Sequence, residues 1–145
     1  MIKFILVVNK QGQVRVSQFY DSVSTEEKDL IVTEAVQRCL KRTDSQCSFL
    51  EYRDFKLVYR RYAALYFIIG VEEFENELAV LELIHLFVET MDTYFEQACE
   101  EDIIFNLEKV YFILDEIVVN GRIIETNQNK ILAPVRLLDQ MAKRW

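Results

Sequence analysis

The residues that could do chemistry in this chain are few and scattered. Its single histidine, His85, lies between Ile84 and Leu86 in a helical pattern, where a structural histidine is the simpler interpretation. With one histidine and no serine or cysteine at a nucleophile elbow, no catalytic triad can be assembled. Adjacent acidic residues point about 100° apart on a helix, so the acidic pairs cannot converge on one atom. The sequence therefore predicts a protein that is not an enzyme.

Cysteine and glycine usage is equally uninformative about metal, redox or phosphate chemistry. Cys39, Cys47 and Cys99 are odd in number and never form a C-x-x-C pair, so buried thiols are the favoured interpretation. The three glycines lie far apart and cannot form a phosphate-binding loop. We therefore expect neither a metal ion nor a cofactor.

The stretch YRRYAALYFIIGV, residues 59–71, places Arg60 and Arg61 between tyrosines just before an apolar strand. Such a pair can contact nucleic acid, receive an anion, or simply be the solvated end of a strand. The net charge of −7 and the lack of any run of five or six Lys or Arg disfavour nucleic acid and direct membrane binding. The other two interpretations remain equally open for both arginines.

Length and composition indicate one globular domain over residues 1–145. Hydrophobic residues make up 51% and aromatic residues 12% of the chain, with three Gly and one Pro, which is unlike a disordered sequence. This apolar share also indicates a partner that covers part of the surface. Only five apolar residues follow Lys3 before Asn9, too few for a signal-peptide core, so we expect a cytosolic protein.

The first half of the chain predicts a hairpin, a helix and three strands. IKFILVV and QVRVSQFY are β-rich runs separated by NKQG, and the nearly all-apolar first run should lie inside a sheet covered on both faces. Ser24 and Glu27 form a capping box for an amphipathic helix over 25–42. CSFLEYRDF, KLVYRRY and AALYFIIGV then indicate three more strands, with Asp54 near the first turn.

The second half predicts helices. These run over 76–100, from a capping Asp102 to about Asn120, and from about Lys130 with Pro134 in the first turn. The apolar faces of these helices include Leu78, Leu138 and Met141. The order ββαβββα followed by helices predicts an α+β fold in which a five-stranded, antiparallel-rich sheet is sandwiched by helices.

Four long strings of the chain are uncommon sequences rather than short motifs: MIKFILVVNKQGQVR, FLEYRDFKLVYRRYAALYFI, LELIHLFVETMDTYFEQACEEDIIFNLEKVYFILDE and NGRIIETNQNKILAPV. Together they resemble the small (sigma) subunits of the clathrin-adaptor family over essentially the whole chain. YAAL, IIGVEEFENELA and ETNQNKILAPVRLLD are most similar to the branch of the family that belongs to the fourth adaptor complex. SQFY replaces the Trp-Tyr ending of the second strand in the clathrin-binding members.

This resemblance implies a longin-like fold and a place in a heterotetramer. The small subunit would bind the helical solenoid of an epsilon-type large subunit, beside a beta and a mu subunit. A small GTPase would recruit the complex, so that this chain meets trans-Golgi network and coated-vesicle membranes only peripherally. The implied function is vesicle-mediated protein transport, in which the small subunit stabilises the complex core and helps to sort membrane cargo.

The resemblance also implies a pocket for acidic dileucine signals, [Asp/Glu]-x-x-x-Leu-[Leu/Ile], in cargo tails. Its residues would be Tyr62, Ala63, Leu65, Val88, Gln97, Ala98 and Ile103, with Arg15 facing the acidic residue of the signal. Arginine offers a planar fork for a carboxylate, and apolar side chains form a slot for leucines. Two departures from the family pattern affect the mouth of this pocket, namely Gln97 and Glu101. Considered without the resemblance, ordinary core packing is the simpler interpretation of these apolar residues.

A stand-alone longin-type regulator of membrane fusion or tethering is the alternative from another functional class. Such a regulator needs no large-subunit partner and should behave well as a monomer. An adaptor small subunit should instead co-purify with a solenoid subunit.

Overall fold

The computed structural model describes residues 1–43, 45–46 and 48–143, so Cys47 lies outside the described residues. The chain forms two compact units, Met1–Glu82 and Leu83–Trp145. None of the described helices is long and apolar enough to span a bilayer.

The first unit holds a five-stranded antiparallel sheet and one helix. Its elements are β1 (Ile2–Asn9), β2 (Val14–Phe19), α1 (Thr25–Leu40), β3 (Phe49–Tyr52), β4 (Phe55–Tyr62) and β5 (Leu65–Glu72). The strand order is β2-β1-β5-β4-β3, and every neighbouring pair is antiparallel. The α+β class with this sheet is therefore confirmed. The apolar β1 lies inside the sheet, as predicted, although β5 is its central strand.

Helix α1 covers one face of the sheet. The Ser24 hydroxyl accepts a hydrogen bond from the Glu27 amide at 3.3 Å, which confirms the predicted N-terminal cap. Ile31, Ala35 and Cys39 on α1 join a buried cluster with alternate residues of β1, β4 and β5. Ile5, Val7, Val58 and Ile69, whose side chains leave the opposite face of these strands, are buried as well, so both faces of the inner strands are shielded from solvent there.

Gly70 leaves room in the sheet for an aromatic ring. It pairs with Phe4 across β1 and β5, and a Cβ atom at Gly70 would lie 2.3 Å from Cε1 of the Phe4 ring. The ring stacks on Phe19 at 5.1 Å between centroids and meets Phe55 edge-on at 5.8 Å. The Phe4 ring therefore occupies the space that any side chain at position 70 would need.

The remaining elements are α2 (Glu77–Phe95), α3 (Glu100–Phe105), α4 (Leu107–Ile117), β6 (Val118–Val119), β7 (Arg122–Ile123) and α5 (Gln128–Ala142). Helix α2 begins where the Asn76 carboxamide accepts from the amides of Leu78 and Ala79. It ends earlier than predicted, because Glu96 and Gln97 adopt left-handed backbone conformations with φ of 56° and 77°.

The prediction of one helix from Asp102 to about Asn120 is wrong. The backbone of Asn106, at φ −131° and ψ 37°, breaks it into α3 and α4. Asp102 lies within α3 and not at its N-cap, which is Cys99. The Asp102 carboxylate accepts from the backbone amide of Cys99 at 3.1 Å. Asp102 therefore supplies the side-chain acceptor of a capping box, which binds the backbone amide of the N-cap residue.

The connection after α4 is a short hairpin that the sequence prediction missed. β6 and β7 pair through a turn at Asn120 and Gly121, both with positive φ. Adjacent residues with positive φ are typical of a two-residue hairpin turn, for which Asn-Gly is the preferred sequence. The dipeptide therefore does more than stop the helix, which was its predicted role.

Pro134 lies in the interior of α5 and not in its first turn, so that prediction is wrong. The helix starts earlier than expected because the Asn127 side chain accepts from the amides of Asn129 and Lys130 and caps it. A proline in this position removes one backbone hydrogen bond of the helix.

Several exposure predictions also need correction. Cys39 is buried, as predicted, and burial raises the pKa of its thiol to about 12. Cys99 is exposed, so the prediction of a buried thiol is wrong there. Leu78, Leu138 and Met141 are exposed rather than part of apolar faces that are buried within the chain. The apolar period of a helix does not distinguish burial within the chain from a surface that the chain leaves exposed.

Candidate peptide-binding site

One end of the sheet in the first unit carries Tyr62, Ala63 and Leu65. Tyr62 ends β4 and pairs with Leu65, the first residue of β5. The Tyr62 ring meets the edge of Phe67 with centroids 5.8 Å apart and an interplanar angle of 83°. Leu65 is buried and Tyr62 half-buried, so the site begins as an apolar floor with an aromatic wall.

Ala63 forms the turn between these strands in a left-handed conformation, with φ of 52°. The Arg61 guanidinium donates from Nε to the Ala63 carbonyl oxygen at 3.1 Å. A non-glycine residue in this region is uncommon, and the hydrogen bond helps to hold it there. Arg61 therefore has a local structural role in the turn.

The two arginines of this stretch do not act as one basic site. Arg60 and Arg61 are successive residues of β4, so their side chains leave opposite faces of the sheet. Arg60 pairs with Phe67 and thus shares the face of Tyr62 and Leu65. Of the two arginines, Arg60 is the one that adds positive charge on that face.

Arg15 is joined to the same end of the sheet through two other side chains. Its Nη2 donates to the Gln13 Oε1 atom at 3.1 Å, and the Asn9 Nδ2 donates to the same oxygen at 2.8 Å. Asn9 is buried and pairs with Leu65 across β1 and β5. A continuous chain of contacts therefore leads from the guanidinium to the apolar floor.

Sequence reasoning missed Asn9 and Gln13 as supporting residues. The Asn9 side-chain oxygen also accepts from the backbone amides of Gln11 and Gln13, at 3.0 and 2.9 Å. The signal was present in NKQGQ, because an asparagine before a tight turn commonly binds the amide two residues further on. The link to Arg15 had no such local signal.

The second unit holds the other four candidate residues. Val88 in α2 and Ile103 in α3 are buried, Ala98 is half-buried and Gln97 is exposed. Gln97 and Ala98 lie in the turn after α2, which Asp92 closes. Its carbonyl oxygen accepts from the Gln97 amide at 3.0 Å, and its carboxylate accepts from the Ala98 amide at 2.9 Å.

A polar junction fixes the end of α2 relative to α4 and α5. The Tyr94 hydroxyl donates to the Asp139 carboxylate at 2.6 Å, and Lys109 Nζ lies 3.1 Å from the same carboxylate. Burial, with the adjacent carboxylate, raises the pKa of Tyr94. Burial acts to raise the pKa of Asp139, but hydrogen bonds from Tyr94 and Lys109 outweigh it and lower that pKa. Helix α2, which carries Val88, is thus joined at its end to α4 and α5.

Two further polar residues, His85 and Glu101, lie on the surface of the described part of the chain. His85 is exposed on α2, and its Nε2 lies 2.9 Å from the Glu89 carboxylate one turn later. Glu101 is exposed at the start of α3. No group of three or more His, Cys, Asp or Glu among the described residues could hold a metal ion. The candidate residues are suited to binding rather than to bond making.

Fold and sequence together define an adaptor small chain. The model of the clathrin adaptor complex small chain family matches residues 1–142, and this chain belongs to that family. It is 54% identical to AP-4 complex subunit sigma-1 of Homo sapiens, over 99% of both chains. It is 55% identical to AP-4 complex subunit sigma of Arabidopsis thaliana, over 96% of this chain and 97% of the relative.

A structural comparison agrees with this assignment. The chain matches one chain of a homology model of the full-length AP-3 complex in a stretched open conformation, with a TM-score of 0.77 and 35% identity. The match covers 99% of this chain and 96% of the other. This chain is therefore a small subunit of an adaptor complex in vesicle trafficking, where such subunits associate with membranes peripherally and have other adaptor subunits as partners. The family consists of structural trafficking proteins, which confirms that the chain is not an enzyme.

Proposed function

We propose that residues 1–145 act as one domain in a heterotetramer of the fourth adaptor type. Its partners are an epsilon-type large subunit, a beta subunit and a mu subunit, and a small GTPase recruits the complex to the trans-Golgi network. The names of the relatives that are 54% and 55% identical support this type of complex over a stand-alone fusion or tethering regulator. Co-purification with an epsilon-type large subunit tests this assignment, and a chain that remains an isolated monomer would contradict it.

Within that complex the chain recognises acidic dileucine signals in cargo tails. The observation that carries this proposal is the chain of contacts from Arg15 through Gln13 and Asn9 to the strand position of Leu65. It places a cation and an apolar floor at one end of the sheet, and these match the acidic and leucine residues of the signal. The proposal also includes Val88, Ala98, Ile103 and the exposed Gln97 of the second unit, because the family resemblance implies them.

The expected affinity is modest. Burial of two leucine side chains yields roughly 3–6 kcal/mol, at about 1.5–3 kcal/mol each. Ordering a flexible tail offsets several kcal/mol of this gain. A charge-assisted contact with Arg15 then leaves a dissociation constant in the micromolar range.

We expect Arg15→Ser to weaken binding of an acidic dileucine peptide by about 1–3 kcal/mol, because the peptide loses a charge-assisted hydrogen bond. The salt dependence of binding should fall as well. Titration of a labelled peptide against the assembled complex at several salt concentrations measures both effects. Arg53→Ser is the matched control, since Arg53 lies in the turn at the opposite end of β4 and the change in net charge is equal. Equal losses in both variants would contradict a specific role for Arg15.

We expect Glu101→Leu to tighten binding of the same peptide. Glu101 is exposed next to Asp102 and Ile103, so its carboxylate should repel an acidic signal bound near α3. The gain should disappear for a peptide whose acidic residue is replaced by glutamine. Titration of both peptides gives the answer, and a gain that is the same for the two would show that added apolar surface, rather than charge, is responsible.

A further inference from the structure

Basic residues collect at one end of the sheet in the first unit. The turn between β1 and β2 meets the C-terminal end of α1 there, since a Cβ atom at Gly12 would lie 3.4 Å from Val36 and 3.5 Å from Leu40. The turn between β4 and β5 lies at the same end, because Asn9 pairs with Leu65 across β1 and β5. The basic residues of these segments, named here the basic end, are the exposed Lys10, Lys41, Arg60 and Arg61 and the half-buried Arg15 and Arg42.

The segments that carry the basic end contain no acidic residues. Residues 2–20, 35–43 and 55–71 include all six basic residues and no Asp or Glu. Asp44 follows the second segment, lies outside the described residues and can offset only one of the six charges. Within the described part of the chain, the four exposed members of the basic end form no ion pair with a carboxylate. The basic end is therefore a positively charged surface.

The opposite end of the same unit carries acidic residues, and basic residues there are paired with them. Lys3 Nζ lies 3.2 Å from the Asp21 carboxylate, and Arg53 lies 3.4 Å from the Glu27 carboxylate. Helix α1 has 16 residues between Glu27 in its first turn and Lys41 after its last residue. At 1.5 Å per residue this helix separates the two ends by roughly 20 Å or more. Because charges are screened over about 8 Å at physiological salt, the acids hardly lower the potential at the basic end.

The basic end is broad and does not converge on one small anion. Arg60 and Arg61 leave opposite faces of β4. Arg15 lies on β2, which β1 and β5 separate from β4. With about 4.8 Å between neighbouring strands, β2 and β4 are roughly 14 Å apart. A surface that carries many phosphates can contact all of these side chains at once, whereas a single phosphate cannot.

We propose that the basic end contacts the phosphate headgroups of anionic lipids when the adaptor complex lies on a membrane. Adaptor small subunits associate with membranes peripherally, so a lipid surface is a broad anionic partner that this chain meets. The half-buried Tyr62 lies at the same end, and tyrosine is enriched where proteins meet the membrane–water interface. Each Lys or Arg close to an anionic membrane strengthens binding about fivefold.

The net charge of −7 explains why this contact needs the complex. An isolated chain with this charge gains little from an anionic membrane, because its acidic surfaces are repelled when they approach. In the complex the other subunits hold the chain at the membrane, and the local charge of the surface that faces the lipid then decides.

The position of the proposed cargo site agrees with this orientation. Arg15, Tyr62 and Leu65 lie at the same end of the sheet, and a cargo tail is anchored in the membrane. A bound tail would therefore hold the basic end close to the lipid. The charge argument does not depend on that site, so this inference goes beyond the proposed cargo function.

Vesicle co-sedimentation tests the proposal. The adaptor complex is purified through an affinity tag on this chain and mixed with phosphatidylcholine vesicles that contain about 20% phosphatidylserine, or none. Lys10→Ser with Lys41→Ser should lower the partition coefficient on the anionic vesicles about 10- to 30-fold, because two charges are lost. Each single variant should lower it about fivefold. Binding to vesicles of phosphatidylcholine alone should not change.

Matched variants separate this effect from net charge and from folding. Lys10→Arg with Lys41→Arg keeps both charges and should bind the anionic vesicles as wild type does. Lys28→Ser with Arg53→Ser removes two charges at the opposite end of the unit, and its partition coefficient should stay within about twofold of wild type. Lys10 and Lys41 lie outside the proposed cargo site, so affinity for the dileucine peptide in solution should be unchanged.

Four outcomes would overturn the inference. They are equal binding of the wild-type complex to both kinds of vesicle, wild-type binding by Lys10→Ser with Lys41→Ser, equal losses in the two double serine variants, and loss of a co-purifying subunit in Lys10→Ser with Lys41→Ser alone. The last of these would assign the basic end to a protein partner. A complex that shows the expected vesicle binding but does not bind the dileucine peptide would contradict the proposed cargo function and support this inference.

Discussion

Val88→Asp should abolish binding of an acidic dileucine peptide to the assembled complex, with a loss of at least about 100-fold. The Val88 side chain is 9% exposed, so an aspartate there is an unpaired carboxylate in apolar surroundings. It would also repel the acidic residue of the signal. Fluorescence anisotropy with a labelled peptide measures the loss.

Controls must separate this effect from unfolding. Leu78→Asp introduces the same carboxylate on the same helix at a position that is 68% exposed, and peptide affinity should remain at the wild-type level. Val88→Met keeps the position apolar and should preserve assembly while it crowds the leucine slot and weakens binding. If Val88→Asp binds the peptide as wild type does, the chain has the family fold without the proposed use of this pocket.

Gly70→Ala should lower the free energy of unfolding by about 1–3 kcal/mol, the usual cost of overpacking a core. The new Cβ atom would lie 2.3, 2.5 and 2.8 Å from three atoms of the Phe4 ring. That ring cannot turn away easily, because Phe19 and Phe55 enclose it. Denaturant unfolding followed by circular dichroism measures the loss of stability.

A double-mutant cycle identifies the cause of that loss. Phe4→Leu alone should also destabilise the chain, because it removes part of a buried aromatic ring. In the combined variant the smaller leucine leaves space for the new methyl group at position 70, so the combined loss should be smaller than the sum of the two single losses. Strict additivity would show that strand propensity at position 70, and not the Phe4 contact, explains the effect.

Local signals in the sequence were sufficient for most of the elements. The Ser24 hydroxyl caps α1 by accepting from the Glu27 amide three residues later, and the apolar runs of the first half identify all five strands of the main sheet. These predictions succeed because the hydrogen bonds of a cap, or the alternation of a strand, depend on neighbouring residues. The long strings that resemble adaptor small chains identified the family in the same way, from the sequence alone, and the family model confirms it.

The helical half shows where local signals fail. The apolar pattern continues from Ile103 to Leu107 and Val110 as if the helix were unbroken, yet the backbone of Asn106 ends α3. The apolar positions of a helix likewise predict a face to be buried, but Leu78, Leu138 and Met141 are exposed. Whether such a face packs within the chain or stays exposed depends on residues far away in the sequence.

Part of the candidate site could likewise be predicted from the sequence, and part only from the tertiary structure. Its residue types, a cation and several apolar side chains, were available from the sequence through the family resemblance. Only the tertiary structure shows that Arg15 reaches the strand position of Leu65 through Gln13 and Asn9, and that Arg60 and Arg61 leave opposite faces of the sheet. The physical reason is that strand order and register bring together residues that are distant in the chain, and no local pattern encodes those contacts.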